Sequence, residues 1–261
     1  MVKTRLIPVL FIKNGLIVRS EDFSYHQIIG NVVNEAHRYN EWNVDELIYI
    51  DLSREDDYDS RRDDHKIKSV GSKEEIVQTI AKTCFMPLTF GGGIRTIEQV
   101  DFLIRNGADK ITLNTGALEN PGLIRQCAEK YGSQAVVLSV DYKIVEGTPF
   151  VYSTFGKEET GFTLFDWIAE GVQQGAGEVM ITNIAHDGKA CGYDIPTIGA
   201  VVESTSVPVI ACGGAGDPYD FVDLAQETSV SGIAAGNWFH FVERSYPRAK
   251  ELLKKNKIHV R

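Results

Sequence analysis

The sequence predicts a single (β/α)8 barrel, the TIM-barrel class of α/β fold, and three observations carry that reading. Short runs rich in β-branched residues alternate with longer amphipathic segments, and eight such units can be counted along the chain. Glycine-rich turns recur in the two halves, at Gly91-Gly92-Gly93 and at Gly213-Gly214-Ala215-Gly216. The length of 261 residues suits one domain spanning 1–261, because barrels of this class run to about 250 residues.

In order, the predicted strands are 5–11, 46–52, 87–90, 110–114, 135–141, 178–183, 208–212 and 232–235. Helices occupy the intervals. The segment 97–106 places Val100, Leu103 and Ile104 on one face, with Gly107 as the stop, and a last helix is expected over 242–255. The interval from Gly92 to Asn114 and that from Gly214 to Gly236 are both 22 positions, and Glu46-Leu47-Ile48 echoes Glu178-Val179-Met180. These echoes predict a duplicated half-barrel. The segment 54–72, rich in Asp, Arg and Lys, breaks the symmetry and reads as a solvated loop on the catalytic face, where substrate contact stays open.

Composition excludes several classes of function. A net charge of −9 argues against nucleic acid as the main partner, since binding a phosphate backbone calls for a basic face. No apolar run approaches the roughly 20 residues of a membrane span, and the first residues lack a signal peptide's apolar stretch, so a cytoplasmic protein is expected. Cys84, Cys127, Cys191 and Cys212 show no C-x-x-C spacing and are expected to be free, buried thiols. His26, His37, His65, His186, His240 and His259 show no paired ligand spacing. Neither a metal nor a cofactor is predicted.

In a (β/α)8 barrel the loops after the strands form the active face, and glycine-rich turns there expose backbone N–H groups to phosphate. The duplicated turns therefore predict two phosphate cradles: Gly92 and Gly93 with Asn114 and Thr115, and Gly214 and Ala215 with Gly236 and Asn237. At the opposite end, four predicted strands begin with a charged residue: Arg5, Glu46, Lys110 and Glu178. Alternation puts Arg5 on one face with Ile7, Val9 and Phe11, Lys110 with Thr112 and Asn114, and Glu178 with Met180 and Thr182. If those faces point inward, two cations and two anions meet at the barrel floor. Spacing leaves two readings open, a salt-bridged plug or a polar gate above a channel for a small neutral molecule.

Segments 107–121 (GADKITLNTGALENP), 131–141 (YGSQAVVLSVD) and 160–167 (TGFTLFDW), together with Asp187, Gly192-Tyr193-Asp194 and the second glycine turn, resemble the cyclase subunit of imidazole glycerol phosphate synthase. The likeness runs through essentially the whole chain, interrupted at 54–72. It implies that a class I glutaminase subunit docks on the barrel floor to form a heterodimer, and that ammonia crosses the interior to a phosphorylated ligand at the mouth. On that resemblance Arg5, Glu46, Lys110 and Glu178 match the gate and Asp109 the partner interface. The family uses two carboxylates, at the ends of the first and fifth strands, as general acid and base. The fifth-strand position matches Asp141, with Asp187 retained nearby, whereas the first-strand position falls on Phe11. Arg19 stands where a Lys of the first loop is usual, as an anion-binding candidate, and Cys212 stands where a Ser precedes the second turn.

An intact gate with a broken acid/base pair implies first a paralogue that passes glutamine-derived ammonia onward, toward sugar amidation in surface-polysaccharide synthesis. The alternative is an authentic cyclase, converting the ribulosyl-formimino nucleotide (PRFAR) and ammonia to imidazole glycerol phosphate and AICAR in histidine biosynthesis. A third reading is a scaffold that binds and activates a glutaminase without conducting ammonia.

Overall fold

The computed structural model describes residues 3–21, 25–53, 72–241 and 243–261. Its elements in chain order begin with β1 (Arg5–Lys13), β2 (Leu16–Glu21), β3 (Tyr25–Asn31), α1 (Val32–Glu41) and β4 (Leu47–Asp51). Next come α2 (Lys73–Thr83), β5 (Leu88–Gly91), α3 (Ile97–Arg105), β6 (Lys110–Leu113), α4 (Thr115–Glu119) and α5 (Gly122–Tyr131). The second half holds β7 (Val136–Val145), β8 (Thr148–Ser153), β9 (Glu158–Thr163), α6 (Leu164–Gln173) and β10 (Glu178–Asn183). It ends with α7 (Ile195–Ser204), β11 (Val209–Cys212), α8 (Pro218–Glu227), β12 (Gly232–Ala235), α9 (Trp238–Phe241) and α10 (Ser245–Lys255).

Eight parallel strands run β1-β4-β5-β6-β7-β10-β11-β12 and close on themselves, because β12 pairs with β1 and β10 pairs with β7. Closure leaves the barrel without an edge strand. The eight strands predicted from the sequence are these eight, with ends shifted by a few residues. The last helix differs: α10 starts at Ser245, after the separate turn α9, and Val242 lies outside the described residues. The segment 54–72 also lies outside them except for Ser72, which caps α2 by accepting from the Glu75 N–H at 3.2 Å.

The half-barrel echo extends beyond the glycine turns. Both β1 and β7 overrun the barrel and fold back, β1 onto β2 and β3 and β7 onto β8 and β9, as antiparallel ribbons on the active face. Each ribbon turns on a pair with positive φ at both positions, Asn14-Gly15 (48° and 77°) and Glu146-Gly147 (49° and 82°). Such turns match the twist of a hairpin, and Gly takes the second position without steric penalty. The reading of the sequence missed both ribbons, although an Asn-Gly pair between apolar runs was the signal for the first.

Strand alternation sorts the apolar side chains into two layers. Outward-facing Leu6, Leu10, Tyr49, Leu88, Ile111 and their like pack against the helices in one continuous layer. Inward-facing Ile7, Val9, Phe11, Ile48, Val137, Met180, Ile210 and Ala234 fill the barrel. Four small polar residues, Thr89, Thr112, Ser139 and Thr182, are buried on the same strands. The thiols do not all follow the expected burial: Cys127 and Cys212 are buried, Cys84 is partly so, and Cys191 is exposed on the loop after β10.

Candidate functional site

At the floor, the four strand-initial charges form one alternating ring. Arg5 Nη1 donates to Glu46 Oε2 at 2.6 Å and Arg5 Nη2 to Glu178 Oε1, while Lys110 Nζ reaches Glu46 Oε1 at 3.0 Å and Glu178 Oε2 at 2.8 Å. Each carboxylate thus touches both cations. Thr89 Oγ1 donates to Glu46 at 3.0 Å, and Arg5 Nε holds the Ser231 carbonyl at 3.2 Å. Burial opposes ionisation of Arg5 and Glu46, but the opposite charges prevail: Glu178 and Glu46 hold the Arg5 pKa above its usual value, and Lys110 and Arg5 hold that of Glu46 below. Asp109 is exposed beside Lys110, with one carboxylate oxygen accepting from the Leu88 N–H at 2.8 Å.

At the mouth, the predicted cradle residues line two cavities. One, of about 620 Å³, is walled by Gly92, Gly93, Asn114 and Thr115 and contains Asp141. The other, of about 290 Å³, is walled by Gly214, Ala215, Gly236 and Asn237 and contains Asp187 and Arg19. Phe11 and Cys212 line both, and so form the wall between them. Phe11 is 7% exposed, at the mouth end of the inward face it shares with Ile7 and Val9. Its ring leaves only 3.5 Å to where a Cβ on Gly236 would stand.

The glycines are required by close approach as well as conformation. Gly92 has φ +99° and a Cβ there would lie 2.0 Å from the Asp51 carbonyl oxygen; Gly214 has φ +116° and its Cβ would lie 2.0 Å from that of Gly192. Any side chain at either position would force the turn off the barrel rim.

Asp141, 7% exposed at the end of the barrel portion of β7, accepts a hydrogen bond from Asn114 Nδ2 at 2.9 Å. Burial, aided by the negative charge of Asp187 and opposed by the Asn114 bond, raises its pKa to about 7. The Cys212 thiol is pushed up to about 12 by burial and by Asp187. A thiol so raised stays protonated and is no nucleophile. Asn114 Oδ1 and Thr112 Oγ1 are buried in the first cavity and make no hydrogen bond among the described residues.

Two predicted anion-binding side chains have other partners. Arg19 pairs with Glu21 at 2.9 Å and stands 5.9 Å from the Phe241 ring centre, while Asn237 Nδ2 donates to the Ser20 carbonyl at 2.6 Å. The Asn237 amide therefore ties the β2–β3 ribbon to the second cavity. Lys73, which the sequence reading missed, enters the first cavity from the start of α2. It adjoins the charged segment 54–72, and nothing in its spacing set it apart. No group of three or more His, Cys, Asp or Glu able to hold a metal occurs among the described residues, and no helix among them is long and apolar enough to cross a membrane.

Residues 5–245 match the model of the histidine biosynthesis protein family. The chain belongs to this family. Within it the resemblance is to HisF-type subunits: 37% identity to imidazole glycerol phosphate synthase subunit HisF of Streptococcus sanguinis, 38% to that of Staphylococcus saprophyticus and 36% to that of Natranaerobius thermophilus. Each comparison covers 100% of both chains. The chain is accordingly a HisF-type barrel throughout its length. The likeness agrees with the closed eight-stranded fold and with the resemblance read from segments 107–121 and 131–141. It also lends more weight to the histidine-pathway alternative than to the surface-polysaccharide reading put first on sequence grounds, since these relatives all carry the histidine-pathway name.

Proposed function

We propose that this HisF-type chain is the ammonia-accepting, cyclase-type subunit of an imidazole glycerol phosphate synthase. It takes ammonia at the floor from a glutaminase subunit and delivers it to a doubly phosphorylated ligand, the ribulosyl-formimino nucleotide, spanning the two glycine cradles. The observation that carries the reading is the Arg5–Glu46–Lys110–Glu178 ring at one end of the strands, with two glycine-walled cavities at the other.

In this reading the paired ring is the closed state, and entry of ammonia has one cation swing aside. Above it, the apolar lining of Ile7, Val9, Ile48, Val137 and Met180 excludes ions but tolerates neutral ammonia. The hydroxyls of Thr112, Ser139 and Thr182 supply hydrogen bonds on the way. At the mouth Asp141, with a pKa near 7, can give or take a proton at neutral pH, which suits general acid–base work during lyase cleavage and ring closure. Asp187 is the second carboxylate available, and its charge acts on Asp141 across the Phe11–Cys212 wall. Phe11 carries no proton, so transfers assigned by resemblance to a first-strand acid fall to these two.

Phe11 itself favours a second reading, in which the barrel conducts ammonia to a separate acceptor, such as a sugar in surface-polysaccharide synthesis, without performing the cyclase reaction. One assay separates them. The purified chain, supplied with ammonium salt and the ribulosyl-formimino nucleotide, should form imidazole glycerol phosphate under the first reading. Turnover should fall at least about a hundredfold in Asp141→Asn. An inert wild type that gains activity only as Phe11→Asp would overturn the first reading in favour of the second.

A further inference from the structure

We propose that Lys73 is a phosphate ligand of the first cradle, giving that cradle the stronger hold on a phosphate monoester dianion. The inference rests on the reading that the glycine cradles bind phosphate. Lys73 is the first residue of α2, where the helix dipole disfavours a cation. Glu74 and Glu75, which follow, are the residue type that suits this turn. The Lys73 side chain is only 20% exposed, and its ammonium donates to the Gly92 carbonyl at 2.6 Å and lies 3.8 Å from Asp51 Oδ2. It also lies 3.8 Å from where a Cβ on Gly93 would stand. A long cation is therefore folded back over the turn whose N–H groups form the cradle, in the same cavity as the buried, unbonded Thr112 hydroxyl and Asn114 carbonyl.

The other cations at the mouth are placed differently. Arg95 is 52% exposed and pairs with Glu119 at 2.8 Å; Arg19 is 37% exposed and pairs with Glu21. Either Arg must trade a carboxylate for a ligand in water, where the exchange gains little. Lys73 is largely buried already and pairs with Asp51 only at 3.8 Å, so a phosphate on Gly93 adds a charge-assisted hydrogen bond without displacing the contact to Gly92.

Lys73 also anchors the Gly92 carbonyl, so three variants separate charge from tethering. Lys73→Gln keeps a donor for that carbonyl and removes the charge, Lys73→Arg keeps both, and Lys73→Met removes both. Inorganic phosphate is titrated into the full chain, and binding is read at the Gly93 amide for the first cradle and at the Gly214 amide for the second. Lys73→Gln should weaken phosphate at Gly93 about tenfold, with a shallower salt dependence, and leave Gly214 unchanged, whereas Lys73→Arg should stay within about threefold of wild type. Should Lys73→Met fail to fold, the Gln variant still decides the matter. Unchanged affinity at Gly93 in Lys73→Gln overturns the role of Lys73. Absence of phosphate binding at both amides in the wild type overturns the cradle reading beneath it.

Discussion

Replacing Asp141 with Asn should make the protein more stable at alkaline than at acid pH relative to wild type. Folded, the Asp141 carboxyl is held to a pKa of about 7, chiefly by burial; unfolded, it returns to about 4. Below pH 4 both states carry the proton and the group is neutral in the balance. As pH rises from there the unfolded chain ionises while the folded one does not, so the wild type loses about 1.4 kcal/mol per pH unit until the folded carboxyl ionises near pH 7. The full loss is about 4 kcal/mol, of which roughly 3 kcal/mol falls between pH 5 and pH 8. Asn does not titrate, and its carbonyl can still accept the Asn114 hydrogen bond. Urea denaturation of both proteins at pH 5 and pH 8 measures the change in their difference. For a chain of this size the same difference appears as a relative shift in Tm of on the order of 10 °C. A difference that stays constant within about 0.5 kcal/mol between the two pH values would refute the claim that Asp141 is held neutral by its surroundings.

Further perturbations test the two ends of the barrel. Glu178→Gln leaves Arg5 and Lys110 facing Glu46 alone in a buried ring, and should cost about 3 kcal/mol by urea denaturation. With a glutaminase docked, it should also lower glutamine-dependent turnover more than ammonium-dependent turnover, whereas equal losses would point to a structural plug. Gly214→Ala places a Cβ 2.0 Å from the Gly192 oxygen and should cost at least about 2 kcal/mol and abolish phosphate binding at the second cradle; a silent variant would mean the turn is free to move. Phe11→Asp brings a carboxylate to the wall between the cavities and should raise ammonium-dependent cyclase turnover, measured as imidazole glycerol phosphate formed.

Much of the architecture is legible in the sequence because it rests on short-range periodicity. Alternation of two along each strand put Arg5, Ile7, Val9 and Phe11 on one face, and the matched spacing of the glycine turns placed both glycine-walled cavities on one rim. The ribbons after β1 and β7 were missed because each continues a strand already counted; Asn14-Gly15 marked the first turn, whereas the second shows only in the pairing of β7 with β8. Lys73 was missed for a related reason: its role depends on α2 folding back over the Gly92 turn, a contact between positions 19 apart that no local pattern encodes.

The sequence by itself determined that eight strand–helix units form one barrel and that charges mark its floor and glycines its rim, while the family resemblance implied a carboxylate where Phe11 stands. Tertiary structure decided the rest. Only closure of the sheet brings the carboxylates of Glu46 and Glu178 each within 3.0 Å of both Arg5 and Lys110 in an alternating ring, because these residues stand at the starts of four separate strands. Only the fold buries Asp141 and sets Asp187 near it, which together raise its pKa to about 7. And only the packing of Phe11 against Cys212 and Gly236 turns a missing acid into a wall between two cavities, since that depends on strands far apart in the chain meeting at the mouth.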